Sequence, residues 1–245
     1  MDPVTHVLFG AVCTGAVTSR TATTQKELRL GLAVAATAAV FPDIDYLSFW
    51  LNPLVFLADW HRTATHSILL MPVWAVLLGS LFMLFKAARE RWRIVYCLCA
   101  LGITSHILLD LLTVFGIRIF YPISESLYSF ATTFVIDIIP TTILAVALFQ
   151  FIRHPRRSIA LSGMALILTY WGIQWALKTQ AHAIAADQMA VTSHVHALPQ
   201  PFSPFYWKLI RQSDSEYEVA YLSLLATENE RQLLPAVGSY TDWGN

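Results

Sequence analysis

Charged residues are scarce in this chain. Of its 245 residues, 13% are charged and 56% are hydrophobic, whereas about 25% are charged in soluble globular proteins. The mean hydropathy is +0.54. Because the 16 basic and 16 acidic residues balance, no strong positive field favours nucleic acid as a partner. The composition argues against an ordinary soluble domain and indicates a membrane protein whose surroundings are lipids.

Cysteines and common hydrolase motifs are also few. Cys13, Cys97 and Cys99 lie in apolar segments, and we interpret them as small buried side chains, not as a disulfide framework. Neither H-E-x-x-H nor G-x-S-x-G occurs, which argues against the usual zinc-protease and serine-hydrolase sites.

The first apolar stretch follows Asp2 and not a basic region, so we expect a retained helix instead of a cleaved signal peptide.

Six apolar runs predict an all-α polytopic membrane protein with about six transmembrane or partly embedded helices. A full span needs about 20 residues, and the first two runs are shorter. We expect Pro42 to end the second helix and the aromatic segment after it to be re-entrant or interfacial. The runs are Val4 to Thr18, Leu28 to Phe41, Ser67 to Phe85, Ile94 to Leu112, Phe134 to Ile152 and Ile159 to Leu177.

The C-terminal quarter has a different composition. Residues 179–245 predict a small α/β tail, in which a polar extension of the sixth helix precedes a proline-rich break and a β-hairpin around Ser213 to Ser215. We therefore divide the chain into a membrane-embedded domain, residues 1–178, and a tail, residues 179–245.

The distribution of basic residues predicts the orientation in a bacterial-type inner membrane. Basic clusters at 86–93 and 153–157, with a weaker set at Arg20, Lys26 and Arg29, mark alternate connections as cytoplasmic. The intramembrane His and Asp residues then lie at the opposite, extracytoplasmic side, together with the tail.

These ionisable residues predict a metal centre. Inserting each such side chain into the membrane costs roughly 2.5–3.5 kcal/mol of free energy, and a bound divalent cation would compensate that cost. Nitrogen and oxygen ligands suit zinc or manganese, and a set this large has room for two ions. The expected ligands are His6, Asp43, Asp45, His61, His66, His106 and Asp110.

The spacing of these residues in the sequence is compatible with their side chains meeting at one metal site. His106 and Asp110 are four apart and share a helix face. Asp43 and Asp45 would point the same way on an extended backbone. His61 and His66 need a non-helical bend between them.

Other residues are expected around the metal. One carboxylate of Asp43, Asp45 or Asp110 would act as a base or bridge two ions. Arg62 would bind an anionic group such as phosphate, although it also suits a snorkelling side chain. Thr65 and Ser67 would cap a helix or support the ligands. Asp137 would either join the site or pair with a donor on a neighbouring helix.

The segments "THVLFG", "FPDIDYL", "HRTATHS" and "HILLD" resemble the YdjM-like (LexA-regulated) family of inner-membrane metal-dependent hydrolases over about residues 1 to 140. The resemblance implies a divalent-metal hydrolase with the seven ligands named above. Thr63 and Ala64 depart from the family, since many relatives carry glycine at the position of Thr63, and this could alter the bend between His61 and His66.

The predicted function is therefore a membrane-bound metal-dependent hydrolase acting on a phosphoester or lipid-like substrate. Trp50 and Trp60, as interfacial aromatics, favour the lipid-like one. Two alternatives remain at this point: a metal or proton transporter, and a non-catalytic membrane protein with a structural metal.

Overall fold

The chain folds into a helical bundle with a small C-terminal β-sheet. The computed structural model describes residues 1–18, 24–188, 194–212, 216–226, 234–235 and 240–241. A helix lies in each of the six apolar runs. The helices are α1 Pro3–Thr18, α2 Gln25–Val40, α3 Met71–Phe82, α4 Trp92–Leu112, α5 Ile138–Arg153 and α6 Arg157–Gln188.

The helices differ in their capacity to cross a bilayer. Within the described ranges, three helical segments are long and apolar enough to span it: Gln25–Trp50, Trp92–Leu112 and Arg157–Ala186. The helices α1, α3 and α5 are apolar but have 10–17 residues, fewer than the approximately 20 that a span needs. The structure therefore gives three candidate spans, and six spans remain a prediction.

Small residues bring three helices together at the centre of the bundle. A Cβ atom added at Gly102 of α4 would lie 2.6 Å from Ala38 Cβ and 2.7 Å from Ala35 O of α2. One added at Gly10 of α1 would lie 2.7 Å from Ala39 Cβ. His6 is one turn before Gly10 and His106 is one turn after Gly102, so this packing also sets the separation of two predicted ligands.

The segment between α2 and α3 is largely irregular helix. A 3-10 helix, Phe41–Trp50, follows α2 directly, with Pro42 in its first turn, where its missing N–H is tolerated. Two short helical turns, Pro53–Val55 and Phe56–Trp60, come next, and a 3-10 turn, Ala64–His66, precedes α3. Proline thus ends the α-helix as predicted, but the chain continues helically. The condition under which Asp43 and Asp45 would point the same way, an extended backbone, is therefore not met.

The tail contains an antiparallel sheet of three main strands, β1 His194–Gln200, β2 Ser203–Gln212 and β3 Glu216–Ser223. Two short strands, β4 Leu234–Pro235 and β5 Tyr240–Thr241, pair with β3. The β2–β3 pair confirms the predicted hairpin, while its Ser213 to Ser215 turn lies outside the described residues. We did not predict β1, because Pro199 obscures its pattern, although proline is tolerated on an edge strand such as this one.

The sheet packs on the end of α6. Ala181 and Ala185 of α6 and Trp207 and Leu209 of β2 are buried in one hydrophobic cluster. The helix continues to Gln188 without a break at residue 178, which confirms the predicted extension. Whether 1–178 and 179–245 behave as separate domains stays a prediction.

We expect Gly102→Ala to destabilise the bundle and disturb the site, because the new methyl group would overlap backbone atoms of α2. Overpacking of this kind costs about 1–3 kcal/mol. The measurements are the thermal midpoint in detergent and bound divalent metal. In Gly172→Ala the new methyl group has no atom within 4 Å, so this control should be neutral or slightly stabilising. Equal midpoints for both variants would contradict the packing argument.

Candidate metal centre

Five of the seven predicted ligands converge between α1, α4 and the two 3-10 segments. Two overlapping groups have ligand atoms within 4.8 Å of one another: His6, Asp43 and His106, and His66, His106 and Asp110. All except Asp43 are buried. Residues from four separate elements thus meet at one point.

The distances between these atoms suit one ion. His66 Nε2 lies 3.1 Å from His106 Nε2, and Asp110 Oδ2 lies 3.5 and 3.7 Å from them. Asp43 Oδ1 lies 3.5 Å from His106 Nε2 and 3.8 Å from His66 Nε2. Since bonds to zinc of about 2.0–2.1 Å in a tetrahedron separate neighbouring ligands by about 3.3–3.4 Å, the residues fit a divalent cation.

A hydrogen bond fixes the tautomer of His106 that a metal ligand needs. Its Nδ1 lies 2.7 Å from the carbonyl oxygen of Ala39, which can only accept, so Nδ1 carries the proton in the neutral ring. The lone pair on Nε2 then faces His66 and the carboxylates. A carbonyl that fixes the tautomer of a metal-binding histidine is a recurrent arrangement.

His6 adds a buried imidazole with unsatisfied nitrogens. Its ring stacks on that of His106, with centroids 3.7 Å apart. Its Nε2 is 3.2 Å from Asp110 Oδ1, but neither ring nitrogen makes a hydrogen bond among the described residues. Because a buried polar atom without a partner is costly, the orphaned ring is further support for a cation here.

The charges at the site also favour a cation. Asp43, Asp45 and Asp110 contribute three carboxylates, against two cations, the α-amino group of Met1 and the guanidinium of Arg62, whose Nε lies 3.6 Å from Asp110 Oδ2. The α-amino group of Met1 contacts the other oxygen of Asp110, Oδ1. Oδ2 is therefore the oxygen that faces the two histidines.

Asp45 and His61 lie beside the ligand groups, where they hold other residues. Asp45 Oδ2 accepts a hydrogen bond from the Arg62 backbone N–H at 3.1 Å and lies 3.6 Å from His66 Nδ1. His61 Nδ1 is 3.2 Å from both oxygens of Asp45. Asp43 and Asp45 approach different nitrogens of the His66 ring, Nε2 and Nδ1. They do not point the same way because successive residues of a 3-10 helix are about 120° apart. The structure thus gives Asp45 an orienting position, although it was expected to be a ligand.

The bend between His61 and His66 is sharp and forms without glycine. Arg62 has φ 61°, in the left-handed region that non-glycine residues rarely occupy. The hydrogen bond from its N–H to Asp45 and one from Arg118 N–H to its carbonyl, at 3.0 Å, hold the bend. The two imidazole centroids end 5.7 Å apart, so the Thr63 and Ala64 departure still brings both rings to the same region.

The guanidinium of Arg62 lies at the edge of the cluster. Nη1 donates to the carbonyl of Phe115 at 3.0 Å, and the cation lies over the Phe115 ring, 5.3 Å from its centroid. Nε lies 3.3 Å from His61 Nε2. Among the described residues Nη2 has no hydrogen-bond partner, so the planar fork retains a donor for an anionic group.

The remaining predicted residues have supporting or separate positions. Thr65 Oγ1 lies 3.0 Å from His66 Nδ1 and 3.3 Å from Asp45 Oδ2. Ser67 Oγ donates to Tyr121 O at 2.5 Å and accepts from Leu69 N at 3.2 Å, so it secures the turn after His66.

Asp137 pairs with a neighbouring helix. Its Oδ1 caps α5 by accepting from Ile139 N, and its Oδ2 accepts from the hydroxyl of Tyr170 on α6 at 2.5 Å. Burial raises the pKa of this carboxyl above its ordinary value, and the tyrosine hydrogen bond opposes the shift. Of the two roles expected for Asp137, joining the site or pairing with a donor on a neighbouring helix, the structure therefore shows the pairing.

Three contacts of the site were missed from the sequence: the carbonyls of Ala39 and Phe115, and the Trp74 Nε1–H that donates to Ala64 O at 2.8 Å. Of these three, only the Ala39 contact could have been predicted from the sequence, since carbonyls in the last turn of a helix lack partners within the helix and are available to other donors. The loop that supplies Phe115 carries no periodic pattern.

The site lies within a segment that matches a protein-family model. A family model described as the YdjM inner membrane protein matches residues 1–181. The chain belongs to this family. The matched region of this YdjM family member includes every residue of the cluster and the three candidate spans as far as residue 181. Comparison with the curated proteins and with the solved structures gave no match.

We expect the purified protein to carry close to one equivalent or more of divalent metal. The double variant His66→Ala, Asp110→Ala should lose nearly all of it, because two ligand atoms that lie 3.5 Å apart disappear together. Elemental analysis by mass spectrometry measures the content. The exposed His154, replaced by alanine, is the control and should leave the content unchanged. Wild-type protein without metal after metal-supplemented expression would overturn the site.

We expect Asp45→Asn to retain the metal at saturation but to bind it about 10–100-fold more weakly. The amide keeps the shape of the side chain, but it cannot replace the charge that faces His61 and His66. Titration of the chelator-stripped protein measures the affinity. Complete loss of metal would instead identify Asp45 as a direct ligand, as the sequence predicted.

Proposed function

We propose that this protein is a multi-pass, metal-dependent hydrolase of the inner membrane that cleaves a phosphoester. One observation carries the proposal: a guanidinium that retains a free donor borders a His/Asp cluster suited to a divalent cation. Arginine forks match the geometry of phosphate. We place zinc or manganese at the cluster, with one or two ions, and the site and tail on the extracytoplasmic side by the distribution of basic residues.

His66, His106, Asp43 and Asp110 would hold the ion, with His6 beside them. A divalent ion there would lower the pKa of a water molecule and polarise a phosphoryl oxygen. The surrounding side chains are already fixed by Ala39 O and Asp45, so little reorganisation is needed when the ion binds.

Arg62 would orient the substrate. Its Nε and Nη1 are held by His61 and Phe115, which leaves Nη2 to donate to a non-bridging phosphate oxygen. Because charge on these oxygens persists and redistributes in the transition state, a fixed donor lowers the barrier more than a mobile one does.

Asp43 would accept the proton of the attacking water. Asp110 and Asp45 are more deeply buried, and their oxygens have several contacts, whereas the Asp43 side chain is 17% exposed. Its Oδ1 faces His66 and His106, and the other oxygen is then the proton acceptor. A carboxylate within reach of both the ion and solvent suits general-base catalysis.

We expect chelator-sensitive hydrolysis of a phosphodiester by the purified full chain. The panel is bis(p-nitrophenyl) phosphate, p-nitrophenyl phosphate and vesicles of phosphatidylethanolamine with phosphatidylglycerol. Arg62→Lys should lower kcat/KM by roughly 10²–10³-fold, as loss of one fixed donor does elsewhere, while metal content stays at the wild-type value. Arg153→Lys, at an exposed arginine over Phe149, is the matched control.

A metal-loaded protein that hydrolyses none of these substrates would overturn the assignment. Metal flux into proteoliposomes in the same preparation would favour transport instead. A loaded but inert protein without flux would indicate a structural metal.

A further inference from the structure

A large apolar groove adjoins the metal centre. It is formed by the second half of α2, the 3-10 helix Phe41–Trp50 and α3, with Val7 of α1. Its volume of about 740 Å³ lies within the range of about 300–1,000 Å³ typical of ligand clefts. Among the described residues that line it, Asp43 is the one with a charged side chain. The apolar wall includes Ala36, Tyr46, Leu47, Trp50 and Leu81.

The groove faces the surroundings of the bundle. Leu47, Trp50 and Leu81 are 69%, 84% and 61% exposed. Two of its walls belong to Gln25–Trp50, a candidate membrane span. In a membrane protein, apolar side chains this exposed on a spanning segment meet hydrocarbon. Side chains this exposed on the walls of the groove make its opening apolar.

Asp43 connects the groove to the metal centre. The same carboxylate that lines the groove lies 3.5 Å from His106 Nε2 and 3.8 Å from His66 Nε2. A chain lying along the groove would bring the polar group at its end to the ligands.

We propose that the groove binds one acyl chain of a bilayer phospholipid and presents the phosphate of that lipid to the metal centre, so that substrate enters laterally from the membrane. The hydrolytic part of this proposal rests on the proposed function, whereas acyl-chain binding does not. The apolar wall would contact the acyl chain, and Asp43 marks where the headgroup begins.

The first experiment measures binding alone. The full chain is reconstituted in phosphatidylethanolamine and phosphatidylglycerol vesicles with a trace of phospholipid that carries a photoactivatable acyl chain. Labelled peptides are mapped by mass spectrometry. Labelling should concentrate on Tyr46, Leu47 and Leu81 over Leu168, which is equally exposed at 60% but lies on α6 away from the groove.

Variants that fill the groove test the assignment. Ala36→Phe projects a ring from its wall and should reduce the labelling several-fold. Ala33→Phe makes the same change at an exposed position of α2 that does not line the groove, and it should have no effect. In case Ala36→Phe fails to fold, Leu81→Trp against Leu77→Trp repeats the comparison on α3 at two exposed leucines, of which Leu81 alone lines the groove.

The second experiment uses activity. Ala36→Phe should raise KM for long-chain phospholipid about tenfold, the loss expected when roughly two methylene groups are excluded, and leave bis(p-nitrophenyl) phosphate hydrolysis unchanged. Concentrated labelling without hydrolysis would support the groove and overturn the proposed function. Labelling spread evenly over all exposed apolar residues, or equal losses in Ala36→Phe and Ala33→Phe, would overturn the groove.

Discussion

The arrangement of this molecule depends on the electrostatic cost of burying Asp110. Its side chain is 2% exposed and lies at the end of a candidate span, where an isolated carboxylate would be strongly disfavoured. His66, His106 and Arg62 approach one of its oxygens, and His6 approaches the other. These partners come from α1, α4 and the segment before α3, so the same charge that makes a cation favourable also ties distant parts of the chain together.

Packing and chemistry are coupled through the small residues of α2. Ala35, Ala38 and Ala39 admit α1 and α4 at distances that larger side chains would forbid. The carbonyl of Ala39 then reaches His106 Nδ1. One short stretch of helix therefore sets both the spacing of two imidazoles and the ring nitrogen that carries the proton. Small residues at helix interfaces are common in membranes because close approach replaces the hydrophobic driving force.

Much of this could be predicted from composition and spacing. The apolar runs gave all six helices, since a run of that length has few other solutions in lipid, and the i, i+4 spacing of His106 and Asp110 put both in the cluster. The position of Asp45 could not be predicted, because a 3-10 helix and an extended strand place residues i and i+2 differently. The φ of Arg62 depends on the hydrogen bond that its N–H donates to Asp45 and on the one that its carbonyl accepts from Arg118, both distant in sequence, and β1 was hidden by its proline.

The length of α6 has a consequence for the position of the sheet. Its 32 residues rise about 48 Å, whereas the hydrocarbon layer is about 30 Å thick. A helix that crosses the layer must therefore project well beyond it at one or both ends. Trp207 and Leu209 pack on Ala181 and Ala185 near its C-terminal end. If this is an end that projects, the number of helical turns beyond the hydrocarbon layer sets the distance between the sheet and the headgroups.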